Sequence, residues 1–307
     1  MAKVIARVFG GLGNQLFIYA AAKALAERTG AELVLDTHSG FLRDDYQRKF
    51  ALRFFDVRYR EASALERFDF PMGRGLRYLF RLANQHIPYQ YRFYLSDLLQ
   101  KDKNFIAPLM SYKPRIRVWM EGYWQSPLYF RDIRKSLSRE LRVKTPLSGE
   151  TTTLAERIRK ANSICVHLRM LRHFLKGVEL MSDRKLGAQH YLKSMEHLAQ
   201  HIDNPLFVCF SDAPHEVKSQ LSSSPFDIIF VTHNKGDDRA YEDFYLMSQC
   251  RHFILSNSTF GWWPAWLCQH SDSKVITPPL NLWDNRDILP PHWITSDSIS
   301  SRVKNAI

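Results

Sequence analysis

Apolar residues along this chain fall into short runs bounded by turn signals, and in the C-terminal half those runs recur. Ser163-Ile-Cys-Val-His-Leu-Arg169, Pro205-Leu-Phe-Val-Cys-Phe210, Phe226-Asp-Ile-Ile-Phe-Val231, His252-Phe-Ile-Leu-Ser256 and Lys274-Val-Ile-Thr277 are rich in β-branched and aromatic residues, as strands buried on both faces are. Between them, 188–201, 214–221, 239–250 and 259–269 carry helical spacing. Such alternation predicts a doubly wound α/β domain of the nucleotide-binding kind. The N-terminal half opens with a predicted strand over Val4–Phe9, a Gly-rich turn, an Ala-rich helix over Asn14–Thr29 stopped by Gly30, and a strand over Glu32–Asp36. From 41 to 110 the pattern degrades into short aromatic and basic segments, read as an irregular insertion on the substrate side. A strand over Arg117–Tyr123 and a helix over Leu128–Leu141 follow, and Val143–Thr153 reads as a linker.

The fold class is therefore α/β: two Rossmann-like domains, over 1–150 and 151–307, facing across a cleft. The last helical segment is expected to pack back on the first domain. That architecture suits a nucleotide-diphosphate donor and a separate acceptor, but fold alone does not choose a reaction.

Composition narrows the classes. Aromatic residues make up 13% of the 307 positions, which suits sugar surfaces as well as cores. Lys3 and Arg7 interrupt the first apolar run, so no signal peptide is read there, and no stretch approaches the roughly 20 apolar residues of a membrane span. Cys165, Cys209, Cys250 and Cys268 lack the paired spacing of a metal site and read as reduced thiols in a cytoplasmic protein. The formal charge of +12 implies attraction to anions, yet the basic clusters carry no RNA-binding signature, so nucleic acid is not an expected partner.

Three predicted strand tips deliver polar groups to one sheet edge: His167-Leu-Arg169, Phe210-Ser-Asp212, and Ser256-Asn-Ser-Thr-Phe260. Ligands of open α/β sheets bind outside the carboxyl ends of strands. An arginine there suits a diphosphate, although a lone strand-end arginine is more often in a surface ion pair. Ser258 and Thr259 precede a helix, where they either cap it or present donors to phosphate. Trp262, Trp263 and Trp266 read as core. Asp243, at a helix start, either offsets the helix dipole or accepts the two N–H donors of a guanine edge. In the first half, Gly10-Gly-Leu-Gly-Asn-Gln15 follows a strand and opens a helix but is neither a dinucleotide fingerprint nor a P-loop.

Gly10-Gly-Leu-Gly-Asn-Gln-Leu-Phe-Ile-Tyr-Ala20, Glu121-Gly-Tyr-Trp-Gln-Ser126, Phe210-Ser-Asp212, and Asp243-Phe-Tyr-Leu-Met-Ser followed by Leu255-Ser-Asn-Ser-Thr-Phe-Gly-Trp-Trp-Pro-Ala-Trp-Leu267 together resemble the bacterial α-1,2-fucosyltransferases of glycosyltransferase family 11, over nearly the whole chain. The resemblance implies a GT-B fold and inverting transfer from a GDP-β-L-sugar to the 2-hydroxyl of a galactose-like acceptor, with no metal or other cofactor. It implies Arg169 on the β-phosphate with Ser258 and Thr259 beside it, Asp243 on guanine, and His167 bordering the base pocket. Gly11, Gly13, Asp212, Asn257 and Phe260 complete the expected donor site, and Asn14 orients acceptor or phosphate. Candidate bases are Asp36, Asp44, Asp45, Glu179 and Asp183.

One departure stands out. Where the family usually has His-x-Arg-Arg-x-Asp, this chain reads His167-Leu-Arg-Met-Leu-Arg172, so L-fucose from GDP-fucose remains the first expectation and a GDP-linked dideoxy sugar, colitose, is the alternative. The basic first half suits an oligosaccharide or lipid-linked glycan acceptor at the inner face of the cell membrane, as in O-antigen assembly. From a different class, a non-catalytic sugar- or nucleotide-binding module fits the same architecture.

Overall fold

The computed structural model describes residues 1–98, 105–170, 172–175, 178–181, 186–283 and 285–299, with the backbone alone for 172–175, 178–181 and 286. The chain forms two compact units, Met1–Arg142 with Asp284–Leu289, and Val143–Trp283 with Pro290–Ile307.

The first unit runs β1 (Lys3–Arg7), α1 (Leu12–Thr29), β2 (Glu32–Asp36), β3 (Arg60–Glu61), α2 (Gly73–Ala83), β4 (Tyr94–Ser96), β5 (Arg117–Glu121) and α3 (Arg134–Glu140). Its five strands are all parallel, in the order β3-β2-β1-β5-β4. Helix α1 buries Leu16 through Ala22 almost completely. Its alanines let the helix lie close to the sheet, and Gly30 ends it in the left-handed conformation. The range 41–110 is more regular than its sequence suggests, since it supplies α2 and both edge strands. Strand β3, Arg60-Glu61, carries no apolar residue and β4 is only three residues long, too short to show a period. The helix expected over Leu128–Leu141 is broken: 3-10 turns at Pro127–Tyr129 and Arg131–Ile133 come first, and Phe130 between them lies outside the helical region at φ −140°. Its ring is fully buried against Phe17, at 5.8 Å between centroids.

The second unit runs α4 (Gly149–Lys160), β6 (Asn162–Leu168), β7 (Arg172–Leu175), β8 (Val178–Met181), α5 (Ala188–Ala199), β9 (Pro205–Ser211), α6 (Pro214–Gln220), β10 (Ile228–Phe230), α7 (Ala240–Ser248), β11 (His252–Ile254), α8 (Thr259–Leu267), β12 (Val275–Thr277) and β13 (Ile294–Thr295). Six parallel strands order as β10-β9-β6-β11-β12-β13, and β7 and β8 form a separate antiparallel pair. Residues 149–153, expected in the linker, form the first turn of α4. Ser148 caps that turn, its hydroxyl oxygen accepting from the Thr151 N–H at 3.2 Å. Trp262, Trp263 and Trp266 are core residues, with Trp262 and Trp266 stacked at 5.5 Å. No described helix is long and apolar enough to cross a membrane.

Candidate functional site

In the second unit the chain progresses outward in both directions from the β6/β11 pair, and such a switch point opens a crevice at the carboxyl ends of the two strands. Arg169 leaves β6 there, Asp212 leaves β9, and Asn257 to Phe260 leave β11. The Arg169 Nε lies 3.2 Å from Asp212 Oδ2, while its side chain stays 40% exposed. Asp212 Oδ1 accepts the Met170 N–H at 2.9 Å. One carboxylate thus fixes both the strand end and the orientation of the arginine that extends past it.

Met170 turns the other way. It is 2% exposed and belongs to the apolar cluster of β6, α5 and β9, with its Sδ 3.9 Å from the Gln220 amide. The position where the resemblance leads one to expect a second arginine is, in this chain, built into the core.

His167 is 3% exposed, its Nδ1 3.2 Å from the Ser256 hydroxyl and its ring 5.8 Å from that of Phe260. Burial and the neighbouring Arg169 cation lower its pKa to about 4, so the ring is neutral at physiological pH. A Cβ on Gly261 would fall 2.4 Å from His167 Nδ1, and only glycine lets α8 approach β6 this closely. His167 therefore acts on the edge through Ser256 and Phe260.

Ser258 caps α8, its hydroxyl oxygen accepting from the Phe260 N–H at 3.3 Å, which leaves the hydroxyl proton to donate. Ser258, Thr259 and Phe260 keep part-exposed surfaces at the helix start, where backbone N–H groups favour an anion. Asn257 donates to Leu282 O at 3.3 Å, and its buried Oδ1 meets no partner among the described residues.

Asp243, in the first turn of α7, accepts from Asn234 Nδ2 at 2.8 Å through Oδ1. Burial raises its pKa to about 7; the Asn234 bond opposes this and Glu242 adds to it. Helix α7 packs toward α8 through Phe244 and Phe260, 6.2 Å apart.

The first unit has its own switch point, between β1 and β5. The glycine turn follows β1, with Gly11 as the N-cap of α1 and Gly13 buried in its first turn. Asn14 Oδ1 accepts from Gln125 Nε2 at 2.9 Å, so the turn and the segment after β5 meet. Gln15 is saturated: it donates to Gly10 O and Lys49 O and accepts from Ala51 N–H. That clasp holds residues 48–51 on the turn and sets the Arg48 guanidinium beside Gly11. After β5, Gly122 sits at φ +150°, where a Cβ would overlap Asp97; Asp97 accepts from the N–H groups of Tyr123 and Trp124.

The base candidates are scattered. Asp36 is 2% exposed and takes the N–H groups of His38 and Ser39, the Ser39 hydroxyl and Arg77. Asp44 caps its own turn through the N–H groups of Tyr46 and Arg48. Asp45 is exposed in the same loop, and Glu179 lies on β8 with only its backbone described. Asp183 lies outside the described residues. The sequence does not single out Gln125 or Asn234. Gln125 lay within a quoted motif but showed no partner, and Asn234, in a polar loop, gave no signal at all. Among the described residues no three His, Cys, Asp or Glu side chains group to hold a metal.

A model of glycosyl transferase family 11 matches residues 3–294. The chain is 26% identical over 312 residues to an alpha-1,2-colitosyltransferase of Escherichia coli, covering 96% of this chain and 99% of that protein. It is 24% identical over 288 residues to the O-antigen biosynthesis glycosyltransferase WbnK of Escherichia coli, covering 88% and 91%. Human galactoside alpha-(1,2)-fucosyltransferase 1 matches at 25% over 159 residues, 48% of this chain and 42% of that one. Among solved structures, NodZ alpha-1,6-fucosyltransferase soaked with GDP-fucose superposes with a TM-score of 0.57 at 16% identity, over 92% of this chain and 96% of that one. A mutant of Arabidopsis thaliana FUT1 in complex with GDP gives 0.53 at 16% identity, over 92% and 71%. At that identity the two structures share the fold.

Proposed function

Because this chain belongs to glycosyl transferase family 11 and has the GT-B fold, we propose that it transfers L-fucose from GDP-β-L-fucose, with inversion, to the 2-hydroxyl of a galactose-type residue in a surface glycan. The observation that carries this reading is the β6/β11 edge, where a part-exposed arginine on a carboxylate tether stands at the strand end beside a capped helix start.

As the bond to the sugar breaks, the anomeric carbon gains oxocarbenium character and negative charge grows on the departing diphosphate. Donors fixed in advance at that charge lower the barrier. Arg169 supplies the cation, and Asp212 holds it at Nε. The Ser258 hydroxyl and the first N–H groups of α8 supply neutral donors. Charge-assisted hydrogen bonds of this kind contribute roughly 1.5–3 kcal/mol each. Asp243 is assigned to the guanine edge, and Asn14, fixed by Gln125, to orienting the acceptor hydroxyl on the first unit. Asp36 and Asp44 already serve their own turns, which leaves Asp45, Glu179 and Asp183 as proposed bases. A lipid-linked or oligosaccharide acceptor at the inner membrane face suits the basic first half of the sequence.

A second reading, the same transfer from GDP-colitose, draws on one structural feature. Met170 is buried where the family carries a second arginine, so the sugar loses one polar partner, and a donor with one hydroxyl fewer needs fewer. The full-length relative named a colitosyltransferase points the same way.

Steady-state turnover of Arg169→Ala tests the site. A loss of at least about a hundredfold is expected, the scale for removing a transition-state donor. Turnover within a fewfold of wild type would remove Arg169 from the chemistry.

A further inference from the structure

Around Asp243 lies a polar network that catalysis at the diphosphate does not use. Glu242, the preceding residue, is fully buried, yet its Oε2 accepts from the Ser148 N–H at 3.2 Å, the Ser148 hydroxyl at 2.7 Å and the Thr151 hydroxyl at 2.5 Å. Thr151 in turn meets His233 Nε2 at 2.9 Å. With the threonine proton given to Glu242, His233 must be the donor, which fixes the Nε2–H tautomer. The buried carboxylate therefore ties the start of α4 to the β10–α7 loop, and through His233 it sets the position of the next residue, Asn234. Asn234 then donates to Asp243.

Asp243 itself is incompletely served. Among the described residues Asn234 is its hydrogen-bond donor, and it engages only Oδ1. A carboxylate in apolar surroundings ordinarily collects two or more donors. This one keeps an oxygen open at the start of a helix beside the diphosphate edge. Two parallel N–H groups on a flat ligand edge would complete it, as the N1–H and 2-amino group of guanine do and the edge of adenine does not.

We propose that Asn234 is a positioning residue for recognition of the base: its amide fixes the plane of the Asp243 carboxylate so that both oxygens face the guanine donors, and the Glu242 clasp holds Asn234 there before ligand arrives. This rests on the reading that the second unit binds a guanine nucleotide. Recognition through an ionised Asp243 makes binding sensitive to pH. The groups facing Asp243 are Glu242 on its own helix, the neutral Asn234 from the loop, and the Cys165 thiol of β6, which burial keeps protonated. Below about pH 7 Asp243 takes up a proton and loses an acceptor, so affinity falls as pH falls. Removing the Asn234 donor, which lowers the pKa, moves that loss to higher pH.

Equilibrium binding to the full chain tests this with three ligands. GDP and IDP differ only by the 2-amino donor, and GDP-fucose carries a diphosphate with no group titrating near neutrality. Wild type is expected to prefer GDP over IDP. Asn234→Ala is expected to bind GDP about tenfold more weakly, the scale of one charge-assisted hydrogen bond, with a reduced GDP-to-IDP preference. It is also expected to show an upward shift in the pH midpoint of GDP-fucose binding, while melting within a few degrees of wild type. Weakened binding with an unmoved pH midpoint and an unmoved GDP-to-IDP ratio would make Asn234 a merely structural residue and overturn the proposal. Asp243→Asn separates the two levels: if it keeps the full preference for GDP over IDP, the guanine reading fails; if it loses that preference and Asn234→Ala does not, the role of Asn234 alone fails.

Discussion

Arg169, Met170 and Asp212 show how single side chains divide the labour at one strand end. Asp212 spends one oxygen on the backbone after β6 and the other on the arginine, so the cation is held before any ligand binds. The next side chain points into the core, which has a measurable consequence. Met170→Arg, restoring the usual family residue, would bring a guanidinium into a cluster lined by Tyr191, Met195 and Leu198. A buried charge without a partner costs about 3–5 kcal/mol, and chemical denaturation is expected to show a loss of at least about 2 kcal/mol; unchanged stability would mean the position is not core. At this scale the sequence marks which residues end strands and begin helices and is silent on their partners. Arg169, Ser258 and Asp243 were singled out by their places at strand and helix ends. The ties from Asp212 to Arg169, Gln125 to Asn14 and Asn234 to Asp243 join residues 43, 111 and 9 positions apart, and no local pattern encodes such pairings. Asp36 was legible as a strand-end carboxylate, but its service to the following turn depends on Arg77 and Ser39 arriving beside it.

At the scale of elements, periodicity worked where a run was long enough to have a period. The five strands and four helices expected in the second unit sit within a few residues of their places, whereas α4, the β7–β8 pair and β13 carried no such expectation. It failed at β3 and β4, which are too short, and over 128–133, where Phe130 leaves the helical region to fill space against α1. The expected linker at 143–153 contains a cap, Ser148, whose second role is to donate to a buried carboxylate 94 residues away. Close packing of α8 on β6 is the element-scale feature most open to test. Gly261→Ala would set a methyl 2.4 Å from His167 Nδ1, and overpacking of this kind costs about 1–3 kcal/mol. Combining it with His167→Ala removes the clash, so the double variant is expected to be more stable than the sum of the two single losses predicts. Strict additivity would show that the two residues do not meet.

For the whole molecule, two units with parallel sheets each place their distinctive motifs at a switch point: the glycine turn with the Gly-Tyr-Trp-Gln segment in one, the Arg169, Asp212 and Ser258 edge in the other. The alternation of strands and helices made the fold class readable, since parallel sheets require it. The identity of the donor sugar is less readable: the only sequence pointers to it are Met170 and Arg172, which stand where the resemblance leads one to expect an arginine and an acid. Charge supports an anionic donor but does not choose the sugar. This chain is a glycosyltransferase, proposed to discharge a GDP-sugar at the second-unit edge. Release of the nucleoside diphosphate, GDP from GDP-fucose, GDP-colitose and GDP-mannose and UDP from UDP-galactose, each donor supplied at equal concentration with and without a β-galactoside acceptor, tests this most directly. Acceptor-stimulated release from GDP-fucose, or from GDP-colitose on the second reading, is expected, with GDP-mannose and UDP-galactose inert. Stimulated release from UDP-galactose alone, or no release from any GDP-sugar, would contradict it.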